Sequence, residues 1–119
     1  HHTGDTNKGF SHIAPLVKPG GRIFLMLYGE PEKTGHYTEV NTYVEHRRAT
    51  SAMTFEEKKR YCEKLFPKSE VQAWFDAISP RINDLYRFDE IRQWLVMAGF
   101  SNITRTSDNR NLFMTGIKN

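Results

Sequence analysis

Apolar positions recur at helical spacing along most of this 119-residue chain, and one stretch breaks the rhythm. Ile23 to Tyr28 is six apolar or aromatic residues in a row, entered through Lys18-Pro19-Gly20-Gly21 and closed by Gly29. Pro19 presets the first turn position, and the two glycines accept backbone angles that a side chain resists. A strand wet on one face alternates polar and apolar residues. The unbroken run therefore predicts a strand covered on both faces, the usual state of a parallel strand in an α/β protein. A short core helix is the alternative, but Gly21 and Gly29 leave it too few residues.

Helices are predicted on either side. Asp5 can cap a first helix running to Val17, with Phe10, Ile13, Ala14 and Val17 on one face. Helix, Pro-Gly-Gly turn and buried strand make the second half of a β-α-β unit, whose first strand would lie before His1. Residues 30–53 are polar, and Val40, Tyr43, Val44 and Arg47 suggest a helix over Thr38 to Arg48. Thr54 and Glu57 form a capping box ahead of an apolar stripe of Phe55, Cys62, Leu65 and Phe66, which Pro67 ends. Ser69 and Gln72 repeat the box before Val71, Trp74, Phe75 and Ile78, and Pro80 closes that helix. Trp74 and Phe75 read first as packing residues and second as the lining of an apolar pocket. Phe88, Ile91, Leu95 and Ala98 mark a further helix stopped by Gly99. Ser101 to Ser107 and Asn111 to Lys118 are then two antiparallel strands around an Asp108-Asn109-Arg110 turn.

Composition narrows the function classes. The chain is 38% hydrophobic and 26% charged with a net charge of +3, ordinary values for one soluble domain or part of one. The basic residues are scattered, with His46, Arg47 and Arg48 the densest cluster, so a nucleic-acid partner is not expected. Cys62 is the only cysteine, which excludes an internal disulfide and a cysteine-based zinc site and suits a reducing cytoplasm. No apolar run approaches a membrane span, and no membrane partner is expected. A metal at His1, His2 and His12 lacks an acidic partner, so no metal is expected. His36 and His46 sit in polar sequence and read as solvent-facing.

In chain order, His1-His2-Thr3, a helix, Leu16-Val17-Lys18-Pro19-Gly20-Gly21, a buried strand, a helical insert, and Ala98-Gly99-Phe100 leading into a hairpin resemble the C-terminal half of a class I S-adenosylmethionine-dependent methyltransferase. In that family a helix ending in a Pro-Gly-Gly turn precedes the fifth strand and a helix ending in Ala-Gly-Phe precedes the sixth. An antiparallel seventh strand closes the sheet. The resemblance covers His1 to Lys118. It implies an α/β fold: the C-terminal part of a Rossmann-like methyltransferase sheet, with one buried strand, a terminal antiparallel hairpin, flanking helices and a helical insert. Residues 1–29 would supply helix and central strand, 30–80 a substrate-side insert, and 81–119 helix and hairpin. It also favours His1 and His2 as native residues over the remnant of a purification tag.

One departure from the family is large. The chain has no Gly-x-Gly-x-Gly loop, which would follow the first strand and bind the cofactor. The resemblance thus implies a fragment. S-adenosylmethionine would be the cofactor of the intact protein and is not expected to bind this chain alone. Methyl transfer needs alignment, exclusion of water and sometimes removal of a proton. In an open α/β sheet this happens beyond the carboxyl ends of the strands. His2, Tyr28 and Glu30 would sit there, with His2 as general base or acceptor ligand and a small molecule as acceptor. The competing readings are a catalytically silent interaction domain and a winged-helix nucleic-acid binder. Against the latter, the helix from Phe88 to Ala98 has only Arg92 as an interior base. Without a fourth strand, Arg22 to Tyr28 becomes an open apolar edge, and a homodimer through that edge or through orphaned helix faces is expected.

Overall fold

The computed structural model describes residues 1–30, 37–108 and 111–119, with the backbone alone over 37–42. Its described residues form a mixed α/β chain of five α-helices and one three-stranded antiparallel sheet. Two compact units are distinct, His1–Thr34 with Ile82–Asn119, and Gly35–Arg81.

In the first unit, α1 (Thr6–Ile13) opens on Asp5, whose carboxylate accepts a hydrogen bond from the Lys8 amide at 2.9 Å. The helix expected to reach Val17 stops early. Pro15 has no N–H for the i→i−4 ladder, and the chain tightens into a 3-10 turn, Ala14–Leu16. The turn that follows is type II in form. Pro19 holds its second position, Gly20 its third at φ +76°, and the Gly21 amide donates to the Lys18 carbonyl at 2.8 Å. That turn launches β1 (Arg22–Leu27).

β1 pairs antiparallel with β3 (Leu112–Lys118), from Arg22 opposite Ile117 to Leu27 opposite Leu112, and β3 pairs antiparallel with β2 (Phe100–Arg105). The sheet order is β1-β3-β2, so β1 and β2 point the same way with the last strand between them. Helix α5 (Phe88–Met97) leads into β2, and Gly99 ends it as expected: its φ is +79°, and its amide bonds to Val96. The second strand is shorter than Ser101 to Ser107. Its register shifts between Ser101 and Thr104, where Asn102 adopts φ +50°. Of the expected turn, Asn109 and Arg110 lie outside the described residues.

The core is one-sided. Phe10 and Ala14 of α1 and Ile91 and Leu95 of α5 pack on Ile23, Leu27, Phe100, Leu112 and Met114 of the sheet. The expectation that β1 is covered on both faces is therefore corrected. Ile23 and Leu27 are buried, whereas Phe24 and Met26 on the other face are 58% and 42% exposed. The neighbour of β1 is also antiparallel rather than parallel. An unbroken apolar run arises here because one face meets the helices while the other is apolar and uncovered by the described residues.

The second unit holds α2 (Tyr37–Ala49), α3 (Phe55–Leu65) and α4 (Val71–Ile78). The helix expected over Thr38 to Arg48 is α2, while His36 and the Val40 side chain lie outside the described residues. The Thr54–Glu57 box forms in both directions. The Ser69–Gln72 box does not: Glu70 takes the cap position, and Gln72 bonds to Asp76 instead. Phe55 and Leu65, expected in the apolar stripe, are more than half exposed, and Cys62 is the buried member of α3. Arg47 of α2 donates to the carbonyls of Ala77 at 2.9 Å and Pro80 at 2.6 Å, satisfying acceptors at the end of α4. No helix among the described residues is long and apolar enough to cross a membrane.

Candidate functional site

The carboxyl end of β1 is held by a distant piece of chain. The Tyr86 amide donates to the Tyr28 carbonyl at 2.9 Å, and the Glu30 amide donates to the Tyr86 carbonyl at 2.8 Å. This is a parallel bridge centred on Gly29 and Tyr86, and it fixes Tyr28, Gly29 and Glu30 just past the last sheet pair. The amino end of the chain docks on the same link, where the Asp84 amide donates to the His1 carbonyl at 3.0 Å.

Three rings gather there. His1 stacks on Tyr28 with centroids 4.1 Å apart at 29°, His2 meets Tyr28 edge-on at 5.4 Å, and the two histidines are 4.1 Å apart. His2 Nδ1 lies 2.8 Å from the Ile82 carbonyl oxygen. A carbonyl only accepts, so Nδ1 carries the proton and Nε2 of neutral His2 keeps its lone pair. That leaves an exposed imidazole with a defined basic atom. His1 and His2 are both anchored, through the Asp84 amide and the Ile82 carbonyl.

Tyr86 supports the platform from below. Its ring packs edge-on against Trp94 at 5.2 Å, and Trp94 faces Phe10 of the core at 6.2 Å. Its hydroxyl lies 3.4 Å from Asp84 Oδ2. Burial pushes the Tyr86 phenol up, and the Asp84 negative charge adds to the rise. A cavity of about 290 Å³ opens beside His1, lined by Phe10, Ile13, Leu25, Leu27 and Trp94 among others. Its walls are mostly apolar, with His1, Thr3 and Thr6 as the polar members of the lining, a combination suited to a small molecule with one polar group.

Of the residues singled out from sequence, His2 and Tyr28 are brought together, and Glu30 is placed beside them by its backbone, its side chain exposed. His1, Asp84 and Tyr86 were not anticipated. The link from Ile82 to Arg87 has neither helical nor strand periodicity, so nothing local marks it.

His46 corrects a second expectation. It is partly buried in the second unit rather than solvent-facing, with Nδ1 2.7 Å from the Tyr61 hydroxyl and its ring edge-on to Phe66 at 5.1 Å and Trp74 at 5.2 Å. Trp74 stacks flat on Phe66 at 4.2 Å, so it serves packing here. Cys62 is fully buried, and burial pushes its thiol up, away from the reactive thiolate. Among the described residues no three His, Cys, Asp or Glu side chains converge as a metal-binding group. Comparison with protein-family models, curated proteins and solved structures finds no match for this chain.

Proposed function

We propose that this chain carries the C-terminal, acceptor-side elements of an S-adenosylmethionine-dependent methyltransferase, with the cofactor loop supplied by polypeptide that this sequence does not contain. The observation that carries this reading is the strand arrangement. β1 and β2 are co-directional, each follows a helix, and the last strand runs antiparallel to both. The resemblance implies a fifth, a sixth and an antiparallel seventh strand in that order. The candidate residues also fall past the carboxyl end of β1, where open α/β sheets place their chemistry.

In this mechanism the sulfonium donor supplies the methyl group when bound. His2 Nε2 takes a proton from the acceptor heteroatom, while the Ile82 carbonyl holds the ring in the required tautomer. Tyr28 orients the imidazole by ring contact, and the apolar cavity beside His1 holds the acceptor body and sheds water. Glu30, exposed two residues past Tyr28, adds negative charge near the rings. A nucleic-acid reading has no comparable support: α5, the helix before the hairpin, exposes Asp89, Glu90, Arg92 and Gln93, which is not a basic face.

The test is transfer of labelled methyl from S-adenosylmethionine to a small-molecule pool by the intact protein. His2→Ala is expected to lower turnover about 10²–10⁴-fold, the usual worth of a general base, with cofactor affinity unchanged. No transfer by cofactor-bound protein would overturn the reading. Titration of the 119-residue chain with S-adenosylhomocysteine is expected to release no heat, and one-to-one binding would place a cofactor site within it.

A further inference from the structure

A second hollow, of about 360 Å³, lies between α1 and the last turn of α5. Buried Phe10 and Ala14 line it from α1, and half-buried Trp94 and Ala98 line it from the end of α5. Exposed Pro15 and Met97 complete the apolar wall, Met97 with 80% of its surface open to water. From Asn7 to Ala14 the α1 side is about 10 Å long. The groove is distinct from the cavity beside His1. The two share only Phe10 and Trp94, whose rings stand 6.2 Å apart.

One end of the groove is basic. Lys118 lines it, and its ammonium donates to the Ala98 carbonyl at the end of α5 and sits 4.9 Å over the Phe100 ring. The Gly20 amide donates to the Lys118 carbonyl and the Lys118 amide to the Gly21 carbonyl, each at 2.8 Å, so the Lys18 turn is fastened to the same place. From Thr6 to Arg22 the chain carries Lys8, His12, Lys18 and Arg22 and no carboxylate, and no carboxylate lines the groove. The carbonyls that end a helix repel an anion. Here the Lys118 ammonium covers the Ala98 carbonyl with a full positive charge, and it has donors left over.

These features select an occupant. The volume is that of a small-molecule site rather than of a protein partner's footprint. The length and the apolar wall suit a single alkyl chain, and adaptable Met97 can close over it. A cation would meet Lys118 at the head of the groove, and an uncharged chain would leave that ammonium unused. A compact anionic head uses it, because lysine offers a point charge and no planar fork to match.

We propose that the groove between α1 and α5 binds a medium-chain alkyl carboxylate, its chain lying against Phe10, Ala14, Trp94 and Met97 and its carboxylate on the Lys118 ammonium. Nothing in this binding depends on methyl transfer.

The test is titration of the isotope-labelled 119-residue chain with decanoate below its micelle concentration, followed by amide chemical shifts. Saturating one-to-one shifts are expected at Ser11, Ala14, Met97, Ala98 and Lys118, with Cys62 and Trp74 of the second unit unmoved. Hexanoate is expected to bind about tenfold more weakly, since each methylene lost removes apolar burial. Decylammonium, with the same chain and the opposite charge, is expected to bind at least about fivefold more weakly, and Lys118→Met to weaken decanoate about two- to fivefold, the range of a partly exposed ion pair. Ser11→Trp, at an exposed position in the lining, fills the groove and is expected to abolish the shifts with an unchanged circular dichroism spectrum. Shifts that fail to saturate or that spread to the second unit overturn the proposal. So does decylammonium binding as tight as that of decanoate, or a Ser11→Trp chain that binds decanoate like wild type.

Discussion

Glu57 shows how much one residue can draw from its sequence neighbours. Its carboxylate accepts from the Thr54 amide at 2.7 Å and the Thr54 hydroxyl at 2.9 Å, and its own amide donates back to Thr54 Oγ1. The backbone bond, then the hydroxyl bond, lowers the Glu57 pKa. A carboxyl lowered in the folded state contributes stability above its unfolded pKa and loses it as pH falls through the folded one. The gap in urea stability between wild type and Glu57→Ala is therefore expected to be open at neutral pH and to narrow on acidification. Thr54→Ala is expected to cost about 1 kcal/mol at neutral pH. A gap that does not change with pH would remove the carboxylate from the cap. The same letters fail at Ser69 and Gln72, because Gln72 finds Asp76 one turn on and Glu70 accepts from Trp74 Nε1 at 3.3 Å. A capping motif is legible only where no nearer partner competes for its side chains.

Among the elements, α5 was legible and β1 was half legible, for one physical reason. In α5 the buried residues Ile91 and Leu95 stand four apart and Gly99 stops the helix, so pattern and burial coincide. In β1 every residue after Arg22 is apolar, yet only alternate ones meet the core. Apolarity records what a face prefers to touch, and it does not record whether this chain provides the contact. Pro15 was the missed signal in α1, since it alone divides a continuous apolar stripe into an α-helix and a 3-10 turn. The contrast within α5 can be measured. Ile91→Ala, at a position with no exposure, is expected to cost about 2–5 kcal/mol, whereas Val96→Ala, half exposed, should stay within about 0.5 kcal/mol. Equal losses in chemical denaturation would mean that the covered face of the helix has been misassigned.

At the scale of the sheet-bearing unit, the candidate site is a meeting of three segments that the sequence keeps far apart. His2 and Ile82 are 80 residues distant along the chain and 2.8 Å apart in space. No local pattern encodes that contact, so His2 and Tyr28 could be nominated from the chemistry expected past a strand end, but Tyr86, which fastens them, could not. The fastening is a backbone function. Tyr86 donates its amide to Tyr28 and accepts from Glu30, while its hydroxyl interacts with Thr6 and with Asp84 at 3.4 Å, neither of them part of the bridge. Tyr86→Phe keeps both backbone bonds and is expected to leave the His1 and His2 ring-proton shifts near their wild-type values. Tyr86→Pro removes the amide that bonds Tyr28 and is expected to free His1 from the Tyr28 ring, moving those shifts toward exposed-histidine values. Stacking pairs of this kind are worth about 0.5–1.5 kcal/mol, and the loss of a backbone bond adds about 1 kcal/mol. A Tyr86→Pro variant that folds and retains the ring-stacked shifts would show that the contact between His1 and Asp84 holds the platform alone, and that the parallel bridge is incidental to it.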